Sequence, residues 1–278
     1  ALESSASVLS SGERNGPGRM KQDVIVCGRF EEVLPKIPSE TVDLLFTSPP
    51  YGVGKDYEPD ARFGVLLQLL NNCFREAHRV LKRGGYAVFN FGDMIPGRDM
   101  LGTDEPSEMP MGWIYWSQGL ANGFVLQAQR VWQKDFSKIT GGKHAISAPR
   151  AVPEFEHLYT FRKPGGGPQV IRERKLSQRA IWSTVGEGSM KVNHPAAFPQ
   201  GLVQRVLTVY TDPGDVVLDP FAGSGTVGLV ARQMGRRFVL VEKEPAYCEE
   251  IKERLGDLSD HVPADMRTED EILSMFES

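Results

Sequence analysis

The chain has 278 residues, 40% of them hydrophobic and 24% charged, with a formal net charge of −4. That length suits one large α/β domain, with or without an insertion, and the absence of any long apolar run excludes a membrane-spanning helix. A weakly acidic balance does not by itself advertise nucleic-acid binding, so any phosphate-binding surface must come from a local concentration of cations.

Residues 1–19 are rich in Ser, Gly, Arg and Glu and lack the apolar centre of a signal peptide, so they read as a flexible N-terminal arm. Val24–Val26 read as a short strand, residues 30–37 as a short helix closed by Pro38, and Val42–Phe46 as a buried strand. Thr47-Ser48-Pro49-Pro50-Tyr51 follows directly, then a polar loop from Gly52 to Arg62. Leu66, Leu70, Cys73, Phe74, Ala77, Val80 and Leu81 keep a helical period that runs to Lys82 and Arg83 and is stopped by Gly84-Gly85. Tyr86–Phe91 form the next strand, residues 92–112 a long surface loop, and 113–120 a helix. Strands over 126–132 and 158–161 flank a polar segment. Leu202, Val203, Val206, Leu207 and Tyr210 form a further helical stripe, and Tyr247, Ile251 and Leu255 support a last helix. Strands alternating with helices predict a mostly parallel twisted sheet with helices on both faces.

Two strand ends carry chemistry. In Asp215–Glu242, an apolar strand (216–218) leads into Gly223, Gly225 and Gly228 at G-x-G-x-x-G spacing. A helix with Val227, Val230, Ala231 and Met234 on one stripe follows, then a second apolar strand (238–241) closing on Glu242. Glycines at such a turn admit a ligand close to the backbone, and a carboxylate at the second strand tip accepts hydrogen bonds from ribose hydroxyls. A lone glycine array is weak evidence; the strand, helix and second strand around it make a nucleotide site. The carboxylates Asp219 and Glu242 suit a cationic ligand better than a pyrophosphate. At the other strand end, Pro49 and Pro50 have no amide hydrogen, so nearby carbonyls are left to face a ligand. Ser48 adds an acceptor and Tyr51 a flat ring, a constellation that suits an amino group on a stacked aromatic guest. Taken alone, the same residues also describe a rigid Pro-Pro loop.

Charge and cysteine placement refine the picture. Residues 162–179 hold Arg162, Lys163, Arg172, Arg174, Lys175 and Arg179 against the single Glu173, and residues 256–278 form an acidic tail with seven acids against Arg267. Cys27, Cys73 and Cys248 have no metal spacing and read as reduced and structural, which points to the cytoplasm. His144 and His194 have no ligand cluster beside them, so no metal is expected.

These residues resemble the S-adenosylmethionine-dependent amino-methyltransferases that modify DNA. Thr47–Tyr51 is similar to the family's catalytic motif, Asp219–Thr226 (DPFAGSGT) to its cofactor loop, and Glu242 to its ribose-holding acid. Residues 193–199, with His194, resemble the segment that closes over the methionine end of the cofactor, and Arg79–Gly85 the helix-turn-strand after the catalytic motif. The likeness runs from about residue 23 to 255, which defines a methyltransferase domain at 20–255. The catalytic motif precedes the cofactor motif with the basic segment between them, the order of the family's beta group, and the segment at about 162–188 then corresponds to target recognition. The resemblance implies a Rossmann-like class I fold, S-adenosylmethionine as cofactor and double-stranded DNA as partner. It admits a homodimer and a cognate restriction endonuclease as further partners.

It also assigns roles: Ser48, Pro49, Pro50 and Tyr51 are catalytic. Asp219, Pro220, Phe221, Gly223, Gly225, Thr226, Glu242 and His194 bind the cofactor, and Arg172, Arg174 and Lys175 contact DNA phosphates. Ser at the motif's first position favours cytosine N4 over adenine N6 as the target amine. None of the three cysteines follows a proline, which disfavours cytosine C5 chemistry, and the motif order disfavours a protein-glutamine methyltransferase. Two other classes stay open on the residues alone. A nicotinamide-dependent dehydrogenase would use the same glycine turn, and a catalytically silent DNA-binding module would keep the fold without turnover.

Overall fold

Apart from an irregularity between Val42 and Leu44, strand residues sort by parity onto two cores. Val24, Val26, Val42, Leu45, Phe89, Val216, Leu218 and Val239 are buried on one side of a sheet. Ile25, Leu44, Phe46, Val88, Val217, Phe238 and Leu240 are buried on the other. This is the signature of central strands covered on both faces, which explains why their sequences are apolar throughout rather than alternating. The computed structural model describes residues 23–50, 63–93, 109–134, 154–167, 172–184, 198–256 and 262–263.

In chain order the elements are β1 (Val24–Cys27), α1 (Phe30–Val33) continued by a 3-10 turn (Leu34–Lys36), β2 (Val42–Thr47), α2 (Phe63–Val80) and β3 (Leu81–Phe91). Then come α3 (Met111–Ala121), β4 (Val125–Gln133), β5 (Phe155–Arg162), α4 (Arg174–Ser177) and β6 (Ile181–Ser183). The last third holds α5 (Gln200–Tyr210), β7 (Val216–Asp219), α6 (Thr226–Gln233), β8 (Arg237–Glu242), α7 (Pro245–Leu255) and β9 (Val262–Pro263). Among the described residues the strands form one sheet in the order β6-β4-β5-β3-β2-β7-β8-β1-β9. The pairings of β5 with β3 and with β4 are antiparallel and the others parallel. The expected mostly parallel, doubly covered sheet is therefore the fold. Helices α1, α2 and α3 pack on one face, and α5, α6 and α7 contribute to the core on the other.

Three readings of the sequence need correction. The α2 helix ends at Val80 rather than at Arg83, because Leu81 already pairs with Val42 and Lys82 Nζ bonds both Asp43 carboxylate oxygens at 2.8 Å. An apolar Leu81 fits a helix stripe and a strand equally well, so only the neighbouring strand decides. The basic segment, to which the sequence pattern assigns no helix or strand, contains α4 and the edge strand β6. Both are tied down by the buried Arg130 of β4, whose guanidinium donates to the carbonyls of Ser177 (2.5 Å) and Arg179 (3.2 Å) and to the Tyr210 hydroxyl. Finally, Cys27 and Cys248 are not free thiols: their Cα atoms lie 5.9 Å apart and they form a disulfide. They are 221 positions apart in the chain and meet because β1 lies beside β8, from which α7 follows. Cys73 is free and buried. With one disulfide present, cysteine usage no longer argues for a reducing compartment.

Candidate active site

The site lies where the sheet changes direction. From β2 the chain moves to β3 on one side, and from β7 it moves to β8 on the other, so the carboxyl ends of β2 and β7 part at a topological switch point. Crevices in open α/β sheets form at such points. Here a crevice that opens to solvent, with about 1060 Å³ of space when the open solvent is included, is lined by the ends of four adjacent strands. Ser48, Pro49 and Pro50 follow β2, Pro220 to Ser224 follow β7, Glu242 to Glu244 close β8, and Gly28 to Glu31 follow β1.

Each of the three glycines has its own reason. Gly223 lines the cavity with a φ of 52°, and its amide donates to Glu242 Oε2 at 2.8 Å. Gly225 precedes α6 with a φ of 72° and is not on the cavity wall; a Cβ there would lie 2.9 Å from two atoms of Ile251. Gly228 lets α6 settle on β8, since a Cβ would come within 2.6 Å of Leu240. So one glycine opens to the ligand and two serve packing. Gly225→Ala is expected to lower stability by roughly 1–3 kcal/mol, from combined backbone strain and crowding, as a drop in melting temperature.

Glu242 is 8% exposed and accepts amide hydrogens from Gly223 on one oxygen and from Glu244 (2.9 Å) on the other. Burial raises its carboxyl above the ordinary range, opposed by those amides. The other cavity charges pair locally, Arg29 with Glu31 and Lys243 with Glu244. Glu242 makes no side-chain ion pair among the described residues, which leaves a carboxylate facing the crevice. Phe221 meets Phe30 with ring centroids 4.8 Å apart, and Phe198 stacks on Phe46 at 4.9 Å, so the walls offer aromatic faces beside that charge.

Asp219 is placed differently from the expectation. It is 1% exposed and lies behind the cavity wall, where its Oδ1 accepts the Thr47 hydroxyl (2.6 Å) and the Phe221 amide (3.1 Å). Pro220, Phe221, Gly223 and Thr226 line the cavity with Ser48, Pro49 and Glu242, so most residues named from the two motifs converge on one crevice. Tyr51 and His194 lie outside the described residues. Arg172 is turned to another use: its guanidinium grips both oxygens of Asp212 (2.9 and 2.5 Å), which precedes β7 and so lies at the opposite end of that strand from the crevice. Arg174 and Lys175 are exposed. The motifs did not reveal the β1 turn, Gly28 to Glu31, or Tyr247 of α7. The available signal was topological: a turn directly after a short buried strand, which joins the site only once β1 is known to flank β8.

The profile of a family described as DNA methylase matches residues 42–253. The chain belongs to that family. The methylase is 30% identical over 256 residues to the DNA adenine methyltransferase YhdJ of Escherichia coli (strain K12), covering 87% of this chain and 85% of that protein. It is 31% identical over 275 residues to the type II methyltransferase M.Cfr9I of Citrobacter freundii, covering 87% and 90%. Among solved structures, a DNA modification methylase of Thermus thermophilus, complexed with S-adenosyl-L-methionine, matches with a TM-score of 0.64. Identity to it is 29%, over 84% of this chain and 92% of that one. The cytosine-N4-specific PvuII DNA methyltransferase matches with a TM-score of 0.64 at 21% identity over 94% of both chains, which shows the shared fold. With its catalytic motif ahead of its cofactor turn, the methylase is a beta-group, S-adenosylmethionine-dependent DNA amino-methyltransferase. The residues fit that cofactor: an unpaired carboxylate on the wall, a glycine amide turn and flanking aromatic rings suit a cationic nucleoside.

Proposed function

We propose that the methylase transfers its methyl group to the exocyclic N4 amine of a cytosine flipped out of duplex DNA. The observation that carries the reading is the meeting of Ser48 and Pro49 with Glu242 on one crevice. The cofactor supplies an electrophilic sulfonium methyl. The chain supplies position and acceptors. An exocyclic amine is a poor nucleophile because its lone pair is delocalised into the ring. Ser48 Oγ and the Pro49 carbonyl would accept hydrogen bonds from its two hydrogens, favour the localised lone pair and orient it for direct attack with no covalent enzyme intermediate. S-adenosylhomocysteine is the leaving group, and the alkylated nitrogen loses one hydrogen as a proton to solvent. The amine lies inside the stack, so the base must leave it, and Tyr51 is assigned to stack on the extruded base. Glu242 holds the ribose, Gly223 admits the cofactor backbone contact, and His194 belongs to the segment over the methionine end.

Ser at the head of the catalytic motif supports cytosine. Adenine N6 is the second reading, favoured by the name of the Escherichia coli relative. Nucleoside mass spectrometry after incubation with S-adenosylmethionine and unmethylated duplex decides between them, with Ser48→Ala as control. N4-methylcytosine establishes the reading, N6-methyladenine changes the base, and no methylated base removes the DNA assignment. A dehydrogenase on the same turn has no use for the Ser48 loop, and a silent binding module has none for the intact cofactor wall.

Residues 162–188 are proposed to recognise the target, Arg174 and Lys175 to meet phosphates. Arg174→Ala and Lys175→Ala are each expected to lower the slope of log affinity against log salt by about one, while Arg172→Ala leaves it unchanged because that guanidinium already holds Asp212. A cognate endonuclease and a cytoplasmic setting go with this reading. A homodimer does too, supported by exposed Trp113 and Leu120 on α3.

A further inference from the structure

The two functional loops leave neighbouring strands. Ser48 follows Thr47, the last residue of β2, and Pro220 follows Asp219, the last residue of β7. The β2–β7 pairing is recorded at Leu44 with Val217 and Leu45 with Leu218, two residues short of Thr47. Past that point the strands must part to open the crevice, and their side chains carry the connection instead. The Thr47 hydroxyl donates to Asp219 Oδ1 at 2.6 Å, and the same oxygen accepts the Phe221 amide of the cofactor turn at 3.1 Å. Both side chains are buried, Thr47 at 0% and Asp219 at 1% exposure, one layer behind a wall built from the residues that follow them.

We propose that Thr47 and Asp219 form a clasp that sets the distance between the Ser48 loop and the cofactor turn, which makes Thr47 a positioning residue for methyl transfer. The inference rests on the methyltransferase reading above. A carboxylate with no cation beside it is a costly thing to bury, and of its two hydrogen-bond donors one ends the strand that leads into the Ser48 loop and the other lies in the cofactor turn. In-line displacement tolerates little misplacement, so a loosened clasp acts on the rate before it acts on cofactor affinity.

Titration gives the clasp a signature. Burial pushes the Asp219 carboxyl up to about 7, opposed by the Thr47 hydroxyl and the Phe221 amide and reinforced by Glu242. The groups facing it are Glu242 from β8, Thr47 from β2, the Phe221 amide from its own turn, and the neutral Cys73 thiol from α2. Removing the Thr47 hydroxyl takes away a donor to the ionised form, so Asp219 holds its proton to higher pH and the acid limb of the transfer rate moves up.

The test compares native enzyme, Thr47→Val and Thr47→Ser. It measures single-turnover methyl transfer to duplex DNA across pH, S-adenosylhomocysteine binding by calorimetry, and amide exchange over residues 44–48. Thr47→Val is expected to slow transfer at least about tenfold with binding within about threefold, to raise the acid limb, and to speed exchange near Ser48; Thr47→Ser restores the rate, the limb and the exchange. A native rate and an unmoved limb in Thr47→Val, or losses that Ser does not restore, overturn the clasp. If Thr47→Val does not fold, Asp219→Asn keeps an acceptor and removes the titration, so its limb flattens; an unchanged limb overturns the proposal. Should the native chain methylate no DNA, the functional reading falls, and unchanged exchange in Thr47→Val then sinks the clasp separately.

Discussion

Ser48→Ala is expected to slow methyl transfer by about 10²- to 10³-fold while leaving the dissociation constant for S-adenosylmethionine within about twofold. The asymmetry follows from where Ser48 sits. It lies on the cavity wall directly after β2, whereas Glu242, the carboxylate proposed to hold the ribose, comes from the end of β8, with β7 between them. An acceptor aimed at the amine meets a group whose positive charge grows only as the methyl transfers, so its loss raises the barrier without loosening the cofactor. Single-turnover kinetics beside calorimetry check this. A variant that lost affinity and rate together would place Ser48 on the cofactor instead.

Glu242→Ala has the opposite signature. Hydrogen bonds to a charged group contribute about 1.5–3 kcal/mol, so the dissociation constant of S-adenosylhomocysteine should rise by roughly 10- to 150-fold. The change also strands the Gly223 and Glu244 amides that the carboxylate now satisfies, so the melting temperature falls as well. Native binding should weaken as the medium is acidified, beginning above the ordinary carboxylate range because burial raises the Glu242 carboxyl. Stability behaves in reverse. Where a folded carboxyl holds its proton more tightly than the unfolded one, the folded state binds more protons across the window between the two values. Stability therefore declines as pH rises through that window. For Asp219 the window extends from its ordinary acidic range up to about 7. Calorimetric titration from pH 5 to 8, with Glu242→Ala alongside, separates affinity from stability.

These expectations rest partly on motifs and partly on geometry. The glycine turn was legible as a strand, turn, helix and strand with an acid at its tip, because each of those elements is written in consecutive residues. Its internal division was not. Gly225 and Gly228 are glycine because of Ile251 and Leu240, which lie in α7 and β8. Likewise Asp219 reads from sequence as a cofactor contact, and only the adjacency of β2 and β7 shows that it meets Thr47 across 172 positions. Arg172 reads as one of several cations on a loop, until the fold sets it against Asp212.

Local pattern thus determined the parallel sheet, the cofactor turn and the Ser-Pro-Pro-Tyr loop, since hydrophobic period, glycine and proline act over a few residues. The tertiary structure alone decided that the two loops share a crevice, that Cys27 reaches Cys248, and that β1 supplies a fourth wall. Those facts depend on strand order, which arises from packing between segments far apart in the chain.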